Sequence, residues 1–179
     1  LSRGKFMFRI YISVIAALFI FQTAIADENK INSALSAGPD SLSKNATIAD
    51  WDGTVLREGS NTWTCLPDIP DNGGTDPWCV DASWQNLLDA LTNGKNPTYD
   101  KIGIAYMLAG DKPVSNITPG GKEEDGDWVM NLKAHLMVLI PDHSMFDNIS
   151  TDPKNGGPWI MWPNTPYAHI MVPIDSYPE

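Results

Sequence analysis

Two sets of side chains in this 179-residue chain have the types and spacing to do chemistry. The first is acidic. Asp50 and Asp52 stand two apart in "IADWDGTVLREG" (48–59), and Asp142 and Asp147 follow the apolar run "LMVLIP" five apart. Paired carboxylates of this kind suit a hard cation such as Mg²⁺. The second set is two H-x-M triplets, His135 with Met137 and His169 with Met171. Side chains of a strand alternate between its faces, so each His shares a face with its Met. If the two strands are neighbours, two imidazoles and two thioethers meet, a ligand set that suits copper and above all Cu(I). Met107 in "AYML" and Met161 in "WIMW" could join them. The remaining histidine is His143, so an all-histidine zinc site would need every one in the chain.

Asp50-Trp51-Asp52-Gly53-Thr54-Val55 resembles the nucleophile motif of the haloacid dehalogenase superfamily of phosphotransferases. That resemblance implies Asp50 as nucleophile, Asp52 as acid/base, and Mg²⁺ held with help from Asp142 and Asp147. It also implies a β-α-β-α fold and a Ser or Thr closing a second strand. "IAYMLAGD" has neither residue there, and Ser115 lies beyond a proline. Lys112, Lys122 and Lys133 are the choices for the phosphate-binding lysine. The same letters also read as a hairpin, with Asp52-Gly53 as a two-residue type I′ turn between "ATIADW" and "TVLREG". Coordinates separate these readings. The phosphatase needs Asp50, Asp52, Asp142 and Asp147 within about 5 Å of one another. A shared copper needs both imidazoles within about 2 Å of one ion.

Seven tryptophans are the third feature. Trp51, Trp63 and Trp78 lie near the hairpin, while Trp159, Trp162 and Tyr167 surround "PNTP" and are the candidates for a binding surface. Asn45, Asn116 and Asn148 each begin an N-x-[ST] triplet. The chain contains no G-x-S-x-G, Walker loop, GxGxxG or CxxCH.

The elements that must position these residues follow from periodicity. "NATIADW", "TVLRE" and "NTWTCLP" are β-leaning segments divided by turn residues, as in a meander. One helix is well signalled near 82–93. Asp81 can cap it, Trp84, Leu87, Leu88 and Leu91 fall on one face, and Gly94 stands at its C-terminal exit. "KIGIAYMLAG", "HLMVLIP", "WIMW" and "YAHIMVPI" read as further strands, and "DHSMFDNIS" as a short helical turn. About seven strands with one clear helix and no β-α-β alternation predict an α+β fold with a mostly antiparallel sheet. "AHLMVLIP" and "AHIMVPI" echo each other, which suggests two strands in similar surroundings.

The remaining composition limits partners. Arg3, Lys5 and Arg9 precede a 12-residue apolar run, Ile10 to Phe21, and Ala24 and Ala26 suit signal-peptidase cleavage. Twelve residues span about 18 Å as helix, short of a roughly 30 Å hydrocarbon core. Residues 1–26 are therefore read as a Sec-type signal peptide, 27–43 as a flexible lead-in and 44–179 as one domain. Periplasmic or extracellular placement follows, with no membrane attachment after cleavage. Three of the 12 basic residues lie in the leader and all 22 acidic ones beyond it, so residues 27–179 carry a net charge of −13. Such a chain is a poor nucleic-acid binder; a small ligand or a protein partner remains open. Cys65 and Cys79 in an exported chain are expected to pair.

Residues 38 to 174 resemble a family of exported bacterial proteins of unknown function. The likeness rests on "ATIADWDGTVLREGSNTWTCLPD", "IGIAYMLAG" and "GGPWIMWPNTPYAHIMVP", and it implies export without implying an activity. The sequence is thus read as a non-enzymatic binding or interaction domain, with copper held by His135, Met137, His169 and Met171 as its sharpest form. The alternative is a Mg²⁺-dependent phosphatase using Asp50 and Asp52.

Overall fold

Alternation of apolar and polar positions along two strands sets the centre of the molecule. In the computed structural model, which describes residues 27–123, 127–130, 132–176 and 178, Gly103–Met107 and His135–Leu139 each bury every second side chain. They pair antiparallel, with Ala105 opposite Met137 and Met107 opposite His135. In chain order the strands are β1 (Thr47–Ala49), β2 (Val55–Arg57), β3 (Thr64–Leu66), β4 (Trp78–Val80), β5 (Gly103–Met107), β6 (Val114–Ser115), β7 (Trp128–Val129), β8 (His135–Leu139), β9 (Trp159–Met161) and β10 (His169–Pro173). Eight form one sheet in the order β2-β1-β3-β4-β5-β8-β10-β9, and β6 and β7 form a small second sheet. Every pairing is antiparallel except β1 with β3. The expected α+β class, with a mostly antiparallel sheet, is the one observed. The strand count exceeds seven because β4, β6 and β7 are two- or three-residue pieces inside polar, turn-rich sequence, too short for a periodic signal.

The first three strands depart from a meander. β3 leaves β2 and crosses to the far side of β1, where it pairs in parallel, Thr47 with Thr64 and Ile48 with Cys65. Gly59 makes the crossing possible, because a Cβ there would lie 2.2 Å from the Thr47 nitrogen.

Helices cover both faces. The helix α3 (Ala82–Thr92) is capped by Asp81, whose carboxylate accepts from the Trp84 backbone N–H and, through its other oxygen, from that of Ile104. Gly94 follows with φ +62°, the left-handed exit that glycine adopts without penalty. Its apolar stripe puts Trp84 and Leu87 against Val80, Ala105, Met107, Met137, Leu139 and Met171. Burying such side chains stabilises by about 1.5–3 kcal/mol each.

Residues 27–43 correct the expectation of a flexible lead-in. Residues 27–36 are helical (α1) and Asp40–Ser43 form a further turn (α2). Ala34 and Ala37 are fully buried with Ile48, Cys65 and Cys79 on the opposite face of the sheet from α3, with Ile31, Leu35 and Leu42 packed against them. Ile31, Ala34 and Leu35 span little more than one turn among polar residues, too short for a sustained periodic signal; the sheet supplies the surface that selects the helix. Cys65 and Cys79 sit opposite each other on β3 and β4 and form the expected disulfide. The signal-peptide reading of residues 1–26 lies outside the described residues. Among those described, no helix is long and apolar enough to cross a membrane.

Candidate functional site

The acidic set comes first. β1 and β2 form the expected hairpin, but its turn is not type I′. A type I′ turn needs positive φ at both central residues. Gly53 alone has it, at +87°, whereas Asp52 is not among the residues with positive φ. The Gly53 N–H donates to the Asp50 carbonyl at 3.0 Å and the Asp50 N–H to the Thr54 carbonyl at 2.8 Å. The connection is therefore a three-residue loop, Trp51 to Gly53, closed by a left-handed glycine. Both carboxylates have local duties. Asp52 accepts from the Thr54 N–H at 2.9 Å, and hydrogen bonds from Thr54 hold it below its ordinary carboxylate range. Asp50 accepts from the Trp51 N–H and pairs with Lys30 of α1.

The other half of the acidic set is elsewhere. Asp142 caps the 3₁₀ turn His143–Phe146, accepting from the Ser144 N–H at 3.0 Å, and Asp147 closes that turn. Asp142 lines a cleft of about 890 Å³ with Tyr99 and His143. β1 and β8 run in opposite directions, so Asp50, beyond the C-terminal end of β1, and Asp142, beyond that of β8, lie at opposite ends of the sheet. Four strand spacings, roughly 19 Å, also separate them laterally. The Asp50, Asp52, Asp142 and Asp147 constellation expected for Mg²⁺ is not assembled. Among the described residues no group of three or more His, Cys, Asp or Glu is placed to hold a metal ion.

The His/Met set fares differently. β8 and β10 are neighbours, and Met137 lies directly opposite Met171. The same register puts His135 opposite Pro173, four residues or roughly 13 Å along the ladder from His169. The two histidines therefore flank the methionine pair from opposite ends rather than lying side by side. Each has a further methionine as cross-strand neighbour, Met107 for His135 and Met161 for His169. This face lies beneath α3. His135, Met137, His169 and Met171 are all at most 2% exposed.

The hydrogen bonds of the two rings define their protonation. His135 Nδ1 is 2.7 Å from the Lys133 carbonyl, and His169 Nδ1 is 3.0 Å from that of Tyr167. A carbonyl can only accept, so each Nδ1 carries the proton and each Nε2 is a bare lone pair. Neither Nε2 has a hydrogen-bond partner among the described residues, and both are buried. Burial pushes the His169 imidazole down to about 4 and that of His135 below its ordinary value, despite the backbone carbonyls. Lys133 and Tyr167 precede their histidines on strands running in opposite directions. The two tethers therefore lie at opposite ends of the β8–β10 pair, Lys133 just before β8 and Tyr167 just before β10. A metal-binding imidazole is commonly set up this way, with the distal N–H tied to a carbonyl to fix tautomer and ring.

Tryptophans complete the enclosure. Trp84 and Trp162 meet His169 edge to face, with ring centroids 5.1 and 5.0 Å away. Trp162 has φ +54°, uncommon for a bulky side chain. Its backbone N–H bonds the Asn116 carbonyl at 2.7 Å and its indole N–H bonds that of Ser115 at 2.9 Å. Strain of this kind persists where surrounding contacts over-determine the residue.

The expected binding surface of Trp159, Trp162 and Tyr167 is corrected by the same contacts. Trp159 and Trp162 are 0% and 7% exposed, their indoles drawn in by Asn116 and Ser115 beside β6. Tyr167 is half-buried and donates to the Lys95 carbonyl at 2.8 Å. Asn116 spends its amide on Trp159 and Thr151, so its N-x-[ST] triplet is sequestered, whereas Asn45 and Asn148 are exposed. The exposed indole is Trp51.

Sequence reasoning also missed a polar cluster beside the stapled loop. Asp76 is fully buried and pairs with Lys112; burial alone would raise its pKa, but hydrogen bonds from Lys112 and Asn72 outweigh it and lower it. Burial pushes nearby Asp111 up to about 7 against the pull of Lys112. "GTDPWC" and "AGDKP" carry no shared pattern that would pair them.

Compared with protein-family models, with curated proteins and with solved structures, the chain matches none.

Proposed function

We propose that this protein is an exported domain that binds one monovalent copper ion within the face formed by His135, Met137, His169 and Met171. The supporting observation is a registered pair of buried thioethers flanked by two buried imidazoles whose Nε2 lone pairs have no partner among the described residues. An uncapped buried acceptor costs free energy unless something meets it. The chemistry of the donors selects the ion. Thioether sulfur with neutral imidazole suits a soft, low-coordinate cation, and a site without carboxylates disfavours Mg²⁺ and Ca²⁺. A single positive charge is also less costly to bury than a double one. The ion sits between the Met137 and Met171 sulfurs with one imidazole, that of His169, completing the set, because histidines roughly 13 Å apart along the ladder do not both come within about 2 Å of one ion. No proton need be displaced near neutral pH, because both rings are already neutral. Export is supported by the disulfide and by the basic–apolar leader pattern.

The test is an anaerobic Cu(I) titration of the purified protein against a chromogenic cuprous chelator. One tightly held equivalent is expected in the parent. A Met137→Leu/Met171→Leu double variant, close to volume-conserving, is expected to stay folded by near-UV circular dichroism and to lose that equivalent. A parent that cannot compete for copper, or a folded double variant that binds as well as the parent, overturns the reading.

A further inference from the structure

The tryptophans form a row as well as a core. Trp51 stands at the hairpin tip, 39% exposed, with its ring set edge to face against Trp78 at 6.3 Å between centroids. Trp78 meets Trp84 at 5.7 Å, and Trp84 meets His169 at 5.1 Å. Each step is within the range of direct aromatic contact. One continuous path of π-systems thus leads from solvent to the buried imidazole, crossing the sheet from one end toward the other.

We propose that this row is a one-electron path between the surface at Trp51 and the metal at His169. The proposal rests on the copper reading above and deepens it: a buried ion exchanges electrons without itself meeting solvent or a partner. Indole is among the most easily oxidised side chains, and phenylalanine in the same place is not oxidisable under comparable conditions. The two end indoles are suited to carry a vacancy without losing a proton. The Trp51 N–H is held by the Pro67 carbonyl at 2.8 Å, an acceptor too weak to take the proton from the oxidised ring. The Trp84 N–H is buried with no partner among the described residues. The partner is an outer-sphere one-electron oxidant that touches only the hairpin tip. It takes one electron from Trp51, the vacancy passes to Trp78 and then Trp84, and the copper fills it. The net change is one Cu(I) oxidised to Cu(II) and one oxidant reduced by a single electron, with all three indoles restored and no bond made or broken.

Trp63 supplies a control, since it packs against Tyr106 and lies off the row. The copper-loaded full chain is mixed with photogenerated tris(bipyridine)ruthenium(III), too bulky to enter the core, and the appearance of Cu(II) is followed by transient absorption and by electron paramagnetic resonance. Copper loading of every variant is measured first by chelator competition. In the parent and in Trp63→Phe, Cu(II) is expected to form at matching rates. In Trp78→Phe, which leaves a gap of two steps, the rate is expected to fall by an order of magnitude or more. Trp51→Phe, at the surface and harmless to the core, is expected to slow it likewise. Loaded Trp51→Phe and Trp78→Phe proteins that oxidise as fast as the parent overturn the relay while leaving copper binding intact. A parent that takes up no copper overturns the site reading and the relay with it, and the loading measurement tells the two failures apart.

Discussion

The hairpin tip and the histidine–methionine face teach opposite lessons about residues with chemical potential. At the tip, Asp50 and Asp52 have reactive-looking spacing, yet their oxygens are engaged by Thr54, Trp51 and Lys30. These are partners the local chain or a neighbouring helix provides, and they make a turn. On the buried face, His135 and His169 each keep one nitrogen without a partner among the described residues. A polar group fully served by its own backbone has a structural job. A polar group held in one tautomer and left open in the core has capacity to bind.

The comparison breaks first at the buried face if that face is not a packed core. Met171→Ala removes a side chain that is 0% exposed. It is expected to cost about 2–5 kcal/mol, read as a shift of the urea midpoint. Met145→Ala, at a position 62% exposed, is expected to change stability by less than about 0.5 kcal/mol. Equal costs at the two positions would mean that the face under α3 is loosely packed.

The cross-link that anchors the hairpin end comes next. Closing a loop of 14-residue sequence separation stabilises by about 3 kcal/mol in the chain-entropy model, so a Cys65→Ser/Cys79→Ser variant is expected to lose about that much in chemical denaturation. A variant as stable as the parent would remove the disulfide from the account of this region.

Of similar size is the pH dependence of the buried imidazole. His169 titrates near 4 when folded and near its ordinary 6.5 when unfolded. Its contribution is whole above pH 6.5 and is lost as pH falls toward 4, because only the unfolded chain takes up the proton there. The full difference is on the order of 3 kcal/mol. Asp111, raised to about 7, works in the opposite sense between pH 4 and 7, since its folded form holds the proton. The sharp measurement is therefore a difference. The stability gap between the parent and His169→Gln is expected to narrow from pH 7 to pH 4.5. A constant gap would mean that the His169 ring is not a buried neutral group.

The smallest effects belong to the tip. Gly53→Ala forces φ +87° on a residue with a Cβ, although nothing lies within 4 Å of it. A cost of about 1 kcal/mol is expected. Asp50→Asn/Asp52→Asn is expected to leave the thermal midpoint nearly unchanged, with or without millimolar Mg²⁺. A Mg²⁺-dependent rise in the parent that the variant lacks would restore a metal-binding role to these carboxylates.

Much of this frame was legible from residue order. Asp81, the 3-4 spacing from Trp84 to Leu91, and Gly94 set α3, because a helix writes its face and its ends locally. β5 and β8 carry period-two burial over five residues, long enough to read. The hairpin was legible, but its turn type was not: "DWDG" suits both a two-residue and a three-residue connection, and strand register chooses between them. α1 was hidden because its fully buried residue, Ala34, and Ala37 just past its end are alanines whose value appears only against Cys65 and Cys79. At the candidate site, the H-x-M repeat was visible but the antiparallel register was not. That register turns two side-by-side pairs into a methionine pair with a histidine at each end.

Residue types and short spacings by themselves determined the fold class, the one strong helix, the cysteine pair and the chemical character of each candidate ligand. These depend on interactions a few residues long or on intrinsic donor chemistry. Tertiary structure alone decided that Asp50 and Asp142 fall at opposite ends of the sheet, that Trp159 and Trp162 turn inward, and that four tryptophans gather around and lead to His169. Strand order and direction set those distances, and both arise from pairing between segments far apart in the chain.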